Sequence, residues 1–138
     1  NIWLYDRLDF KLKKIDQTGK IIFNSGDLSL TLNTVLQPDF MVEREQQIYV
    51  NDPNVGILVF DAFAQFEKIL DFKHLERFQV LDGKLLFFKE GKLQSFNLQS
   101  LLLQEVKLPD GVGEDAQILV QKNRLYIMEN EILQVFEF

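Results

Sequence analysis

Short stretches of alternating apolar and polar residues, each closed by a turn-forming group, fill this chain; a period of two predicts β-strands. Four of these stretches align. Trp3-Leu4-Tyr5-Asp6 leads to Leu12 and Ile15-Asp16, and Tyr49-Val50-Asn51-Asp52 leads to Ile57-Leu58-Val59-Phe60-Asp61. Leu86-Phe87-Phe88-Lys89-Glu90 leads to Leu93-Gln94-Ser95-Phe96-Asn97, and Tyr126-Ile127-Met128-Glu129-Asn130 leads to Leu133-Gln134-Val135-Phe136-Glu137. Trp3, Tyr49, Leu86 and Tyr126 stand 46, 37 and 40 residues apart, and Phe60, Phe96 and Phe136 stand 36 and 40 apart. A period near 40 built of strand-length segments matches a propeller blade, whereas helical repeats of that period need long 3.6-periodic runs.

A further strand precedes each of the last three units: Phe40-Met41-Val42, Phe78 to Leu81, and Ala116 to Val120. Tight polar connections follow them, among which Asp82-Gly83 is the strongest hairpin signal, since glycine takes positive φ cheaply; Asn123 can serve the same purpose less well. A last strand follows three of the units: Lys20 to Phe23, Phe66 to Leu70, and Leu103 to Leu108. The first is entered through Asp16-Gln17-Thr18-Gly19, where Asp caps the turn and Gly takes its left-handed position. Two segments, Ala62–Leu70 and Leu98–Leu108, also carry helix-like intervals, but the repeat assigns both to strands. Asn24 to Asp39 reads as a loop with a short irregular insert.

Named A to D, the strands run B-C-D over 1–23, A-B-C-D over 40–70 and again over 78–108, and A-B-C over 116–138. The expected fold is therefore all-β: about three and a half four-stranded antiparallel blades, forming a single partial β-propeller. Propellers close with four to eight blades, so the missing remainder is expected elsewhere in a longer protein, with self-association through open blade edges as the alternative. The chain also opens directly on a strand without an initiating Met, the mark expected of a processed or truncated chain.

Composition agrees. Thirteen phenylalanines in 138 residues suit pleated, half-buried strands. The net charge of −6 argues against nucleic acid and anionic membrane as partners. No apolar run is long enough to span a bilayer as a helix. With no cysteine there is no disulfide, thiolate metal site or cysteine nucleophile.

Trp3-Leu4-Tyr5-Asp6 with Lys14-Ile15-Asp16-Gln17-Thr18-Gly19-Lys20-Ile21-Ile22, and Ile48-Tyr49-Val50-Asn51-Asp52 with Val59-Phe60-Asp61, resemble the NHL-type and related six-bladed propeller repeats of bacterial cell-envelope proteins. The chain departs from that pattern where Ala64 replaces the turn glycine and where Asn97 and Glu137 replace the turn Asp. The resemblance implies a six-bladed whole, a periplasmic or envelope location with the cytoplasm as the alternative, and a scaffold binding proteins, polysaccharides or, in some relatives, RNA. A minority of such propellers are enzymes holding a metal through several histidines; this chain has only His74.

Asp6, Asp52, Glu90 and Glu129 stand at the turn leaving strand B in four units, where a propeller channel opens. A ring of carboxylates there suits a hard cation such as Ca²⁺, while the ordinary alternative is that acidic residues favour solvated turns. His74 falls on an inter-blade loop on the same side and has no nucleophile beside it, which makes a surface histidine the default. The acidic, two-glycine loop Pro109 to Asp115 lacks a phosphate-binding continuation and reads as a connector. Trp3, Tyr5 or Phe72 could stack on a sugar or peptide, although the alternation makes most such residues core. No catalytic residue is indicated. The leading expectation is a non-enzymatic scaffold presenting its loops to a protein or glycan. The alternative is a lyase or hydrolase whose catalytic residues lie mostly outside this chain.

Overall fold

The computed structural model describes residues 1–137. Two compact units, Asn1–Glu76 and Arg77 onward, contain two antiparallel sheets each. In the first unit, β1 (Ile2–Asp6), β2 (Lys11–Ile15) and β3 (Ile21–Asn24) form sheet 1; sheet 2 holds β4 (Phe40–Arg44), β5 (Gln47–Asp52), β6 (Gly56–Asp61) and β7 (Phe66–Leu70). In the second unit, β8 (Gln79–Leu81), β9 (Lys84–Lys89), β10 (Lys92–Asn97) and β11 (Leu103–Val106) form sheet 3; sheet 4 holds β12 (Gln117–Gln121), β13 (Arg124–Glu129) and β14 (Ile132–Glu137). The B-C-D, A-B-C-D, A-B-C-D, A-B-C order is present, and Phe60, Phe96 and Phe136 all stand on C strands, opposite Ile48, Leu85 and Leu125. Phe138, the last residue of the expected A-B-C set, lies outside the described residues.

Turn chemistry explains the register. Each A–B connection is two residues long, and the left-handed backbone it needs falls on Glu45-Gln46 (φ 52° and 63°), Asp82-Gly83 (50° and 70°) and Lys122 (52°) rather than on Asn123. The C–D turns share one device. Asp16 Oδ1 accepts from the Thr18 and Lys20 N–H groups at 2.8 and 3.0 Å, and Asp61 Oδ1 accepts from Phe63 and Gln65 at 2.8 and 2.9 Å. Asn97 Oδ1 does the same for Gln99 and Ser100. Gly19 sits at φ +85°, and its counterpart Ala64 adopts φ +65° with its methyl fully buried. The capping carboxylate and the burial together offset the left-handed cost, so the turn persists without glycine.

The insert before sheet 2 contains one short helix, α1 (Leu28–Leu32), which Asp27 caps through the Ser29 N–H at 2.9 Å. Leu28 and Leu36 from this insert are buried in the first core. The segments with helix-like intervals are strands, β7 and β11.

Both units pack their sheets in the same way. In the first, a front face of sheet 1 bearing Trp3, Tyr5 and Leu12 meets a back face of sheet 2 bearing Ile48, Val50, Leu58 and Phe60. In the second, the equivalent front face of sheet 3 (Phe88, Leu93, Val106) meets the back face of sheet 4 (Leu125, Ile127, Phe136). There the Gln79 amide also clamps the next sheet, donating to the Val120 carbonyl at 3.0 Å and accepting from its N–H at 2.8 Å.

Candidate functional site

The B–C turns carry the four sequence-nominated carboxylates, and strand register places three of them alike. Asp6, Asp52 and Glu129 each close a B–C hairpin, paired with Lys11, Gly56 and Ile132. In sheet 3 the closing rung pairs Lys89 with Lys92. Glu90 therefore lies one residue beyond the equivalent position, which corrects the expected alignment. Glu90 is itself the first residue of the left-handed turn Glu90-Gly91, with φ values of 54° and 76°, and Lys89 holds the last paired position.

The three aligned carboxylates tie loops to strands. Asp52 Oδ2 accepts from the Gln37 N–H and its Oδ1 from the Asn54 N–H, at 2.8 and 2.9 Å. Beside it the buried Asn51 amide donates to Asp39 Oδ1 and to the Leu75 carbonyl, both at 2.9 Å. Two connecting segments are thus fastened to one turn. Glu129 Oε1 accepts from the Gly113 N–H at 2.9 Å and fastens the Pro109 to Asp115 connector in the same manner. A side chain on Gly113 would collide with that carboxylate.

Asp6 works locally. Its Oδ1 accepts from the Leu8 N–H at 2.9 Å, and Lys13 bridges Asp6 and Asp9 at 2.7 Å each. The Lys13 ammonium holds the Asp6 carboxyl below the ordinary aspartate range, and the Thr18 and Ser29 hydroxyls do so for Asp16 and Asp27. A carboxyl lowered by folding contributes stability above the ordinary aspartate value of 3.8 and loses it as pH falls through the depressed folded value. Denaturant stability should accordingly drop in acid below that value, and Asp16→Ala should shallow the drop. Urea titrations repeated along the acid limb check both; an unchanged limb in the variant would refute the role of Asp16.

His74 is exposed, with a left-handed backbone (φ 60°), and its N–H donates to the Pro53 carbonyl of the adjoining B–C turn at 2.8 Å. Trp3 and Tyr5 pack against the first core. Trp3 donates its indole N–H to Glu43 and receives Lys14 over its ring at 5.1 Å, while burial pushes the Tyr5 phenol up. Among the described residues, no three His, Asp or Glu side chains gather as a metal-ligand group. The second unit has an open groove that sequence reasoning missed. About 400 Å³ in volume, it is floored by Leu93, Val106 and Leu108 and rimmed by Lys92, Lys107 and Asp110, where the B–C turn of sheet 3 meets the connector.

No family model and no curated protein sequence matches the chain. Solved structures do. The chain is similar to part of a Saccharomyces cerevisiae assembly of Dbp5 bound to Nup159, Gle1, IP6 and ADP, with a TM-score of 0.59 at 9% identity, covering 94% of this chain and 36% of that one. It is also similar to PorZ, an essential bacterial surface component of the type-IX secretion system of Porphyromonas gingivalis, with a TM-score of 0.54 at 18% identity, covering 98% of this chain and 20% of that one. At these identities the likeness concerns the fold: an all-β, propeller-like architecture of antiparallel blade-type sheets. The chain spans about a third and a fifth of the lengths of those two chains. Among the described residues, no helix is long and apolar enough to cross a membrane.

Proposed function

We propose that the chain is a non-enzymatic binding scaffold that presents the loops at the B–C ends of its sheets to a protein or glycan partner in a bacterial cell envelope. The observation that carries this reading is the fastening of the loops. The Asn51 amide N–H groups and the Asp52 and Glu129 carboxylates hold connectors in place, so a binding surface on those connectors is ordered before a partner arrives. The groove beside the Pro109 to Asp115 connector, with its apolar floor and charged rim, is the concave part of that surface in the second unit. The likeness to PorZ, a bacterial surface component, supports the envelope setting.

A glycan array and a displayed peptide library, probed with the 138-residue chain, test this reading. Ligands recovered should bind at least about tenfold more weakly to the Lys92→Glu, Lys107→Glu double variant, which inverts rim charges at exposed positions and leaves the circular dichroism spectrum unchanged. Ligands indifferent to the double variant, or no ligand from either library, would count against the groove.

A further inference from the structure

Building on the scaffold reading of the second unit's groove, we infer that it takes a short amphipathic helical segment of a protein partner, seated as α1 is seated in the first unit. Strand register sets the two units in correspondence. Leu12 faces Tyr5 one rung inside the closing pair Asp6 with Lys11, and Leu93 faces Phe88 one rung inside Lys89 with Lys92. Phe10 and Gly91, both left-handed at φ 58° and 76°, immediately precede those C strands. Beside Leu12 the chain leaving the D strand places Ser25, whose N–H donates to the Leu12 carbonyl at 2.8 Å; beside Leu93 it places Val106.

From that point the units differ. In the first, residues 25–39 run through α1, and the Leu28 N–H donates to the Phe10 carbonyl at 2.8 Å. Leu28 and Leu36 are buried in one cluster with Leu12, and Leu32, one helical turn after Leu28, packs against it. In the second unit residues 107–116 form a shorter connector that contains no helix. The groove of about 400 Å³ opens there, between residues 91–93 and 105–112. Gly91 holds the Phe10 position, and its carbonyl accepts no hydrogen bond among the described residues. Every wall of the groove belongs to sheet 3 and the connector, well inside the chain. The place that α1 fills in one unit thus stands open in the other, with its apolar floor present.

Charge sets the direction of the helix. The Asp27 carboxyl, which caps α1, is lowered chiefly by the Ser29 hydroxyl and also by the Lys11 ammonium. Lys92 takes the Lys11 position, and Lys107 lines the same rim, whose acidic members are Glu105 and Asp110. Lys92 Nζ stands 3.9 Å from Glu105, and both side chains are more than half exposed. An ion pair of that kind holds little, so Lys92 is available to an incoming carboxylate. The occupant that fits is a helix with an acidic cap. It offers a free first-turn N–H to Gly91 and two leucine-type side chains, four residues apart, to Leu93, Val106 and Leu108.

Two displayed libraries of peptides about 15 residues long, near the shortest at which an isolated helix persists in water, test this on the 138-residue chain. One library fixes Asp, Leu and Leu at the spacing of Asp27, Leu28 and Leu32; the other scrambles that spacing. The best peptides of the first should bind at least about tenfold more tightly than those of the second, and should shift the NMR signals of Leu93, Val106 and Leu108. Against the Lys92→Glu, Lys107→Glu double variant they should weaken by at least about tenfold, and copies with the fixed Asp changed to Asn should weaken clearly less. Equal binding from the two libraries, or signals shifted only elsewhere, overturns the helical partner. Glycans or extended peptides that occupy the groove while the helical library yields nothing overturn it too, and leave the scaffold reading standing. A groove that takes no ligand of any class overturns both.

Discussion

Replacing Gly56 with alanine should lower the unfolding free energy by about 3 kcal/mol, by combining backbone strain with a collision. Gly56 opens β6 at φ +128°, a conformation that side-chain-bearing residues rarely adopt. A Cβ there would stand 2.5 Å from the Leu70 carbonyl oxygen and 3.1 Å from Ile69 Cγ2. The oxygen belongs to the backbone of β7, where Leu70 pairs with Ile57, the residue after Gly56, so relief requires moving the strand. Chemical denaturation of the variant measures the loss. Gly19→Ala supplies the contrast, because its φ is +85° and nothing lies within 4 Å of the added carbon, leaving conformational strain alone. Equal losses at the two sites would show that the contact with Leu70 contributes nothing.

Phe60→Ala should cost about 4 kcal/mol, the range for emptying an aromatic site in a close-packed core. The ring is fully buried among Leu12, Ile48 and Leu58, and meets Phe66 edge to face with ring centroids 5.7 Å apart. Phe136 stands on the same rung of sheet 4 but is only partly buried, so Phe136→Ala should cost clearly less. Urea midpoints for the two variants, at a common slope, decide it. A smaller loss at Phe60 than at Phe136 would contradict the burial argument.

Much of this architecture was legible because period-two alternation and turn residues act over short distances. The pairs Trp3 with Lys14 and Leu86 with Ser95 follow from the lengths of their turns, and Asp82-Gly83 announces its own hairpin. Where the reading slipped, the cause was also local. Glu90 looked equivalent to Asp52 because both are acidic and near a strand end, but Asp52 is the last paired residue of its strand whereas Glu90 is already inside the turn that follows Lys89. Ala64 concealed its left-handed backbone behind an ordinary side chain.

The bracing of loops by Asn51 and Glu129 depends on partners 12 to 24 residues away, and no strand pattern encodes such distances. One signal was present: a polar Asn51 at the end of the apolar run Ile48-Tyr49-Val50, fully buried in the fold. The groove beside Leu108 arises from a connector crossing a sheet end, so it exists only once the chain is folded.

Within every sheet, each strand pairs only with its immediate predecessor and successor in the chain. Such pairing closes only small loops, and the entropy lost in each closure is modest. Hairpins of this kind assemble on the microsecond scale, and a low contact order speeds the steps that follow. Contacts within each sheet are therefore local in sequence, and the contacts that span long stretches of chain are those between one sheet and the next.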